Sequence, residues 1–359
     1  GGGGGVKSSR AKQSHPQKGF QVEFVAGRRL KAEVKLPRHN RVHQQLNPQI
    51  HAQAGRASTV LEIDLSAHSA AKYGADEELA TLLACQGLEA NLPEGERMYV
   101  ALRDNRGFTP LHFAACYCHM ECIKLLLRQG ADVEAQSEQG VTPLMLAAGS
   151  EADNVVEVVR YIVCMGGRLD TRDHCDVNGH GTGGGVLHKA CCSGRVEVVE
   201  ALLQLGTDVN AVDQDKWTAL HFAARFNHGP IVETLVSHGA NVNAQDVDGW
   251  TALHNCSRNG RAKCVEQLLG AGTCLRLLTK TKETALHVAC RKGKVKVAEA
   301  ILKHALATSV DELHALLSGR DMQGRTVFDL AANKYIQEHL NSFKVYLKKT
   351  GIDVDHQVG

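Results

Sequence analysis

One block of sequence recurs along this chain at a step of 33 residues, and nothing else constrains its fold as tightly. It reads FTPLHFAA at Thr109, VTPLMLAA at Thr142, WTALHFAA at Thr218, WTALHNCS at Thr251 and ETALHVAC at Thr284. GVLHKACC places Gly185 in the Thr position, and RTVFDLAA ends the series at Thr326. The steps are 33, 43, 33, 33, 33 and 42 residues. A period of this length is that of one supersecondary unit. Such a unit cannot bury its apolar face alone, so stability comes from stacking on its neighbours.

Within each period the local signals are helical. Thr at the anchor can cap a helix N-terminus, and Pro110 and Pro143 follow it, where a missing N–H costs nothing. Paired small residues such as Ala114 and Ala115 let two helices approach closely. VEVVEALLQLG (Val196 to Gly206) has apolar residues at i, i+3, i+4 and i+7, which is one helical face. Glycines 21 residues after the anchors (Gly130, Gly206, Gly239, Gly272) suit left-handed helix ends. Aromatic residues make up only 4% of the chain, and small aliphatic residues carry the 43% hydrophobic content.

The pattern closely resembles the ankyrin repeat family over roughly residues 62–345. The resemblance implies an all-α solenoid of helix-turn-helix repeats with β-turn fingers. It divides the array into a degenerate capping repeat at about 62–90 and repeats at about 104–136, 137–172, 173–211, 212–244, 245–278 and 279–310. A C-terminal cap follows at about 320–345, and 346–359 is a tail. The long steps place three extra residues between the helices of the second repeat and a Gly-rich insertion at 173–185. A short added helix is expected in LATSVDELHALLSGRD.

Residues 1–56 differ in kind. They hold eleven Lys/Arg against two acids, a net of +9, whereas the rest of the chain carries −7. GFQVEFVAGRRLKAEVKL alternates apolar and polar residues around Ala26-Gly27, which predicts a hairpin at 20–36 within a largely flexible arm. A basic arm could contact nucleic acid or an anionic membrane, but this one lacks interleaved aromatics apart from Phe20 and Phe24. No run of 18 apolar residues occurs, so no transmembrane helix is expected. No apolar stretch follows the N-terminus. The twelve cysteines are therefore expected to be reduced thiols in an intracellular protein, cytoplasmic or nuclear.

Chemistry-bearing clusters dissolve when placed in register. His112, His188, His221, His254 and His287 hold one slot of successive repeats. The resemblance makes them, with Thr109, Thr142, Thr218, Thr251 and Thr284, repeat-stabilising residues. Helix packing would space the histidines about 10 Å apart, too far to share a metal at roughly 2 Å bonds. CYCHMEC imitates a zinc cluster, but Cys118 falls in the turn-Gly slot, His119 in the polar slot after it and Cys122 in the core. His174, Cys175, Asp176 and His180 sit in the Gly-rich insertion, which lacks a phosphate-loop lysine. No metal, no cofactor and no catalytic constellation is expected, so the chain reads as a non-enzyme.

Two positions escape the scaffold. The residue before the anchor, at the finger, is Phe108, Val141, Gly184, Trp217, Trp250, Glu283 and Arg325 in turn. The residue seven after it is Cys116, Gly149, Cys192, Arg225, Arg258, Arg291 and Asn333, and the next includes Phe226 and Lys292. The resemblance implies that fingers and inner helix faces line a concave partner groove. Trp and Arg are the types enriched at interface hot spots. Phe108, Trp217, Arg225, Phe226, Trp250, Arg258, Arg291 and Lys292 are therefore the expected contacts.

The expected partner is an acidic protein or one with exposed aromatic groups, held by a monomeric scaffold or adaptor. A substrate adaptor of a ubiquitin ligase is the alternative, although KVYLKKTGIDVDHQVG is not recognisably a docking box. LLQLGTDVN resembles an asparaginyl-hydroxylation context, with Asn210 as acceptor.

Overall fold

The computed structural model describes residues 61–85, 99–174 and 183–349. The basic arm, the expected hairpin, Cys175, Asp176, His180 and residues 350–359 lie outside them.

Helices come in pairs. They are α1 (Leu61–Tyr73) with α2 (Asp76–Cys85), α3 (Pro110–Cys116) with α4 (Met120–Arg128), and α5 (Pro143–Ala148) with α6 (Val155–Cys164). Then follow α7 (Val186–Ser193) with α8 (Val196–Gln204), α9 (Ala219–Phe226) with α10 (Gly229–Ser237), and α11 (Ala252–Asn259) with α12 (Ala262–Gly270). The last are α13 (Ala285–Arg291) with α14 (Val295–Thr308), the added helix α15 (Val310–Ser318), and α16 (Lys334–Lys349). The first helix of each pair packs on the first helix of the next, from α1 to α13.

Helices of six to nine residues are marginal in water alone, so burial must hold them. Leu111, Leu144, Leu187, Leu220, Leu253 and Leu286, two residues after each anchor, are all at most 1% exposed. Each contributes about 2 kcal/mol by leaving water. Alanine or cysteine at the buried positions beyond them lets first helices meet closely.

Fingers join by backbone hydrogen bonds. Glu138 N–H donates to Arg106 O (2.9 Å), Val247 to Asp215 (2.9 Å), Lys280 to Asp248 (2.9 Å) and Met322 to Thr281 (2.9 Å). Each finger tip, two residues before the anchor, is left-handed. Glycine fills this slot at Gly107, Gly140, Gly183, Gly249 and Gly324, but Lys216 (φ 61°) and Lys282 (φ 57°) occupy it in two fingers. A side chain in that conformation costs about 1–2 kcal/mol.

The C-terminal unit differs from the repeats before it. The anchor at Thr326 opens only a turn over 327–330. Asp329 stands where five other repeats have His, and its carboxylate accepts from both Thr326 N–H (2.8 Å) and Thr326 Oγ1 (2.9 Å). Asp329 offers no ring to reach onward, and the helix of this unit starts only at Lys334.

Candidate functional site

Each anchor histidine is fixed at both ring nitrogens. The backbone N–H of Thr109, Gly185, Thr218, Thr251 and Thr284 donates to Nδ1 of His112, His188, His221, His254 and His287, at 2.9–3.3 Å. An accepting Nδ1 leaves the proton on Nε2. That Nε2–H donates to a carbonyl of the next repeat: Val141 (2.9 Å), Trp217 (3.2 Å, shared with Ala211 O at 3.1 Å), Trp250 (3.0 Å), Glu283 (3.2 Å) and Gly319 (3.1 Å). Thr142, with Met145 in the histidine slot, only caps its own helix, accepting from Met145 N–H at 3.4 Å.

Four of these five acceptors are finger residues, and three of those are Trp217, Trp250 and Glu283. The scaffold histidine of one repeat thus positions the finger residue of the next. The finger residue's own N–H is held as well: Trp217 donates to Asp213 Oδ1 and Trp250 to Asp246 Oδ1, both at 2.7 Å. Burial lowers the pKa of His112, His188 and His254 to about 4 and also lowers His221 and His287, so all five are neutral at pH 7.

On this frame Trp217, Arg225, Trp250 and Arg258 line one cavity of about 450 Å³. The Arg225 guanidinium lies 5.5 Å from the Trp217 ring centre and Arg258 lies 5.7 Å from Trp250, within cation–π range. The third pair in the same register is different. Glu283 takes the finger position and grips Arg291 with both oxygens, at 2.8 and 3.1 Å. Arg291 is therefore engaged within the chain and does not continue the open strip that its register predicts. Among the described residues, Arg225 and Arg258 have no such carboxylate.

The remaining expected contacts are scattered. Phe226 is 45% exposed, stacked on His228 and under Arg225. Phe108 packs edge-on against His112 and Phe113, and Lys292 is exposed at a helix end. Asn210 is exposed, yet its amide bridges to the next loop, accepting from Asn241 N–H (2.7 Å) and donating to Gly239 O (3.2 Å).

Among the described residues no three His, Cys, Asp or Glu side chains are grouped to hold a metal. In CYCHMEC, Cys118 forms the left-handed turn (φ 54°) and Cys122 is 1% exposed, while His119 Nε2 bonds Lys72 O at 3.0 Å. The described cysteines that the structure places are free thiols.

Sequence reasoning missed three features. His68 plays the anchor-histidine part in the first repeat, donating to Phe108 O at 3.0 Å; the signal is HSAAKYG, which parallels HFAACYC. A second histidine row, His119 and His228, ties turns together by reaching Lys72 O and Cys192 O. The third is acidic: Asp213, Asp215, Asp246 and Asp248 also line the cavity. Asp213 and Asp246 are committed to their fingers, and Asp248 pairs with Lys280 at 3.3 Å.

Paired helices, finger ladders and bridging histidines define a stacked-repeat solenoid. The model for ankyrin repeats matches residues 67–173, 157–246, 187–277 and 243–311. The chain belongs to the ankyrin repeat family, whose arrays are protein–protein interaction modules. It is 31% identical over 126 residues to ankyrin repeat protein FPV223 of fowlpox virus (strain NVSL), covering 34% of this chain and 78% of that one. It is 35% identical over 125 residues to neurogenic locus notch homolog protein 1 of Xenopus tropicalis, covering 35% of this chain and 5% of that one. An ankyrin repeat and KH domain-containing protein of Caenorhabditis briggsae is 27% identical over 190 residues, with 51% of this chain and 7% of that one covered. The chain thus spans only a small part of the two longer relatives. No described helix is long and apolar enough to cross a membrane.

Proposed function

We propose that this chain is a non-enzymatic scaffold or adaptor that holds a protein partner on the strip formed by Trp217, Arg225, Trp250 and Arg258. The carrying observation is the repeated Trp–Arg pair: two aromatic rings, each under a guanidinium, line one cavity. Large rigid rings and Arg are the side chains that most often dominate interface energetics. Their backbones are locked on both sides by Asp and His hydrogen bonds, so little ordering cost attends binding.

The partner on this reading presents acidic groups, and the array acts as a monomer inside the cell. Hydroxylation of Asn210 remains a separate proposal, tested by a +16 mass shift on its peptide in cells that contain an asparaginyl hydroxylase. The strip is tested with a photo-crosslinking residue placed at Asn259, which lines the cavity, or at Glu266, exposed on the second-helix layer. Partner adducts from position 259 and none from 266 support the strip. The reverse pattern removes it.

A further inference from the structure

We propose that the cavity receives acidic side chains of an extended peptide, whose carboxylates take on Arg225 and Arg258 the place that Glu283 holds on Arg291. This rests on the groove reading above and names the chemistry that the groove recognises.

The chain supplies its own template. Finger residue and Arg stand eight apart three times in register, at 217/225, 250/258 and 283/291. Where the finger residue is Glu, the guanidinium fork closes on its carboxylate in bidentate fashion, the geometry that suits Arg best. Where it is Trp, the guanidinium rests on the ring and, among the described residues, makes no hydrogen bond or ion pair. Glu283 also ends the strip, because it fills the third fork from within.

A second, independent observation points the same way. Asn255 lines the cavity and is 5% exposed. Its Nδ2 has no hydrogen-bond partner. The corresponding residues of the other repeats are Phe113, Leu146, Lys189, Phe222 and Val288, and Lys189 has its own partner in Asp173 at 2.6 Å, so no other repeat leaves a polar group unpaired there. Two exposed guanidinium groups with no carboxylate partner among the described residues and one buried, unpartnered amide thus face a single space, and an acceptor with negative charge complements them.

The aspartates of the rim set the size of that charge. Asp213 and Asp246 accept finger N–H groups and Asp248 holds Lys280, and with Asp215 they set four carboxylates on the lining beside the two guanidinium groups. They tolerate a singly charged carboxylate beside an Arg more readily than a doubly charged phosphate. Successive repeats lie about 10 Å apart. A polyproline II segment puts residues i and i+3 on one side about 9 Å apart, which fits one carboxylate to each Arg.

Both tryptophans of the chain line this cavity, so intrinsic Trp emission reads its occupancy without a label. The probe is acetyl-Gly-Glu-Pro-Pro-Glu-Gly-amide titrated into the full chain, with the Gln-Pro-Pro-Gln peptide and a doubly phosphoserine peptide as comparisons. The expected result is a saturable emission change with the Glu peptide. Affinity falls about tenfold or more for the Gln peptide, and likewise for Arg258→Gln with the Glu peptide. Glu283→Gln, which frees Arg291, is expected to gain about tenfold for a probe with a third Glu three residues on.

Equal affinity for the Glu and Gln peptides overturns the carboxylate inference and leaves the groove standing. No response to any peptide, or tighter binding of the phosphopeptide, also overturns it. The groove itself is decided by the crosslinking positions above.

Discussion

The Nε2–H of His221 donates to the carbonyl of Trp250, 3.0 Å away in the next repeat. A buried scaffold residue thereby positions a finger residue that it shares no helix with. His221→Ala removes this bond and the acceptor of Thr218 N–H, and opens a small cavity. It should cost about 2–4 kcal/mol, measured as a lower urea midpoint. It should also weaken partner binding, although His221 itself is buried.

The histidine ladder makes the array acid-labile. The unfolded chain protonates these rings near 6.5, but the folded chain holds His112, His188 and His254 neutral down to about 4, and His221 and His287 are lowered too. A proton added at Nδ1 would also face the Thr N–H donors. Between those pH values the unfolded state binds more protons, so stability is full above pH 6.5 and is lost as pH falls. The slope is about 1.4 kcal/mol per histidine per pH unit. Asp213, raised by burial to about 6, works in the opposite direction and offsets part of one histidine. Urea midpoints should be flat above about pH 7 and fall steeply toward pH 4. A midpoint unchanged between pH 7 and pH 5 removes this account.

In α11 two polar groups sit unpaired in the packing, Asn255 Nδ2 and Ser257 Oγ, the latter residue 0% exposed. Other repeats carry Ala115, Ala148, Cys191, Ala224 or Cys290 at the Ser257 position. Ser257→Ala should stabilise by about 1 kcal/mol, with partner binding unchanged. Asn255→Leu should stabilise by a similar amount and weaken binding of the acidic probe. A stabilised Asn255→Leu with undiminished affinity would mean the amide has no ligand role.

Lys216 and Lys282 hold a conformation that glycine holds in the other fingers. Changing either to Gly should raise stability by about 0.5–1 kcal/mol by relieving the left-handed strain. If these lysines serve an acidic partner, the same changes lower its affinity and steepen nothing in salt. Affinity measured at two ionic strengths separates lost charge, which weakens the salt dependence, from altered finger shape, which does not.

The repeat frame was legible because each unit repeats its reasons. Thr218, Leu220, His221 and Ala223 recur with the period, and a signal that returns at four steps of 33 residues is hard to mistake. The irregular ends were less readable. Nothing in RTVFDLAA announces that Asp329 would close its turn on Thr326 and leave no helix, since Thr followed by Asp is a good start signal elsewhere. The Arg ladder misled for a related reason. Arg225, Arg258 and Arg291 are equivalent in register, but the finger residue opposite decides whether the guanidinium is open or held. That relationship spans eight residues of loop and helix, and only the folded geometry joins Glu283 to Arg291. The cavity's aspartates were hidden because the same residue type both closes a finger and lines the groove.

The most direct test of the groove is an alanine triple variant at Trp217, Trp250 and Arg258, compared with the wild type for retention of the crosslinked partner and for urea unfolding. The account predicts that retention is lost while unfolding free energy falls by less than about 2 kcal/mol, since the two rings are only partly buried and Arg258 is exposed. Retention that survives the triple change, or that declines only in step with unfolding, would contradict it.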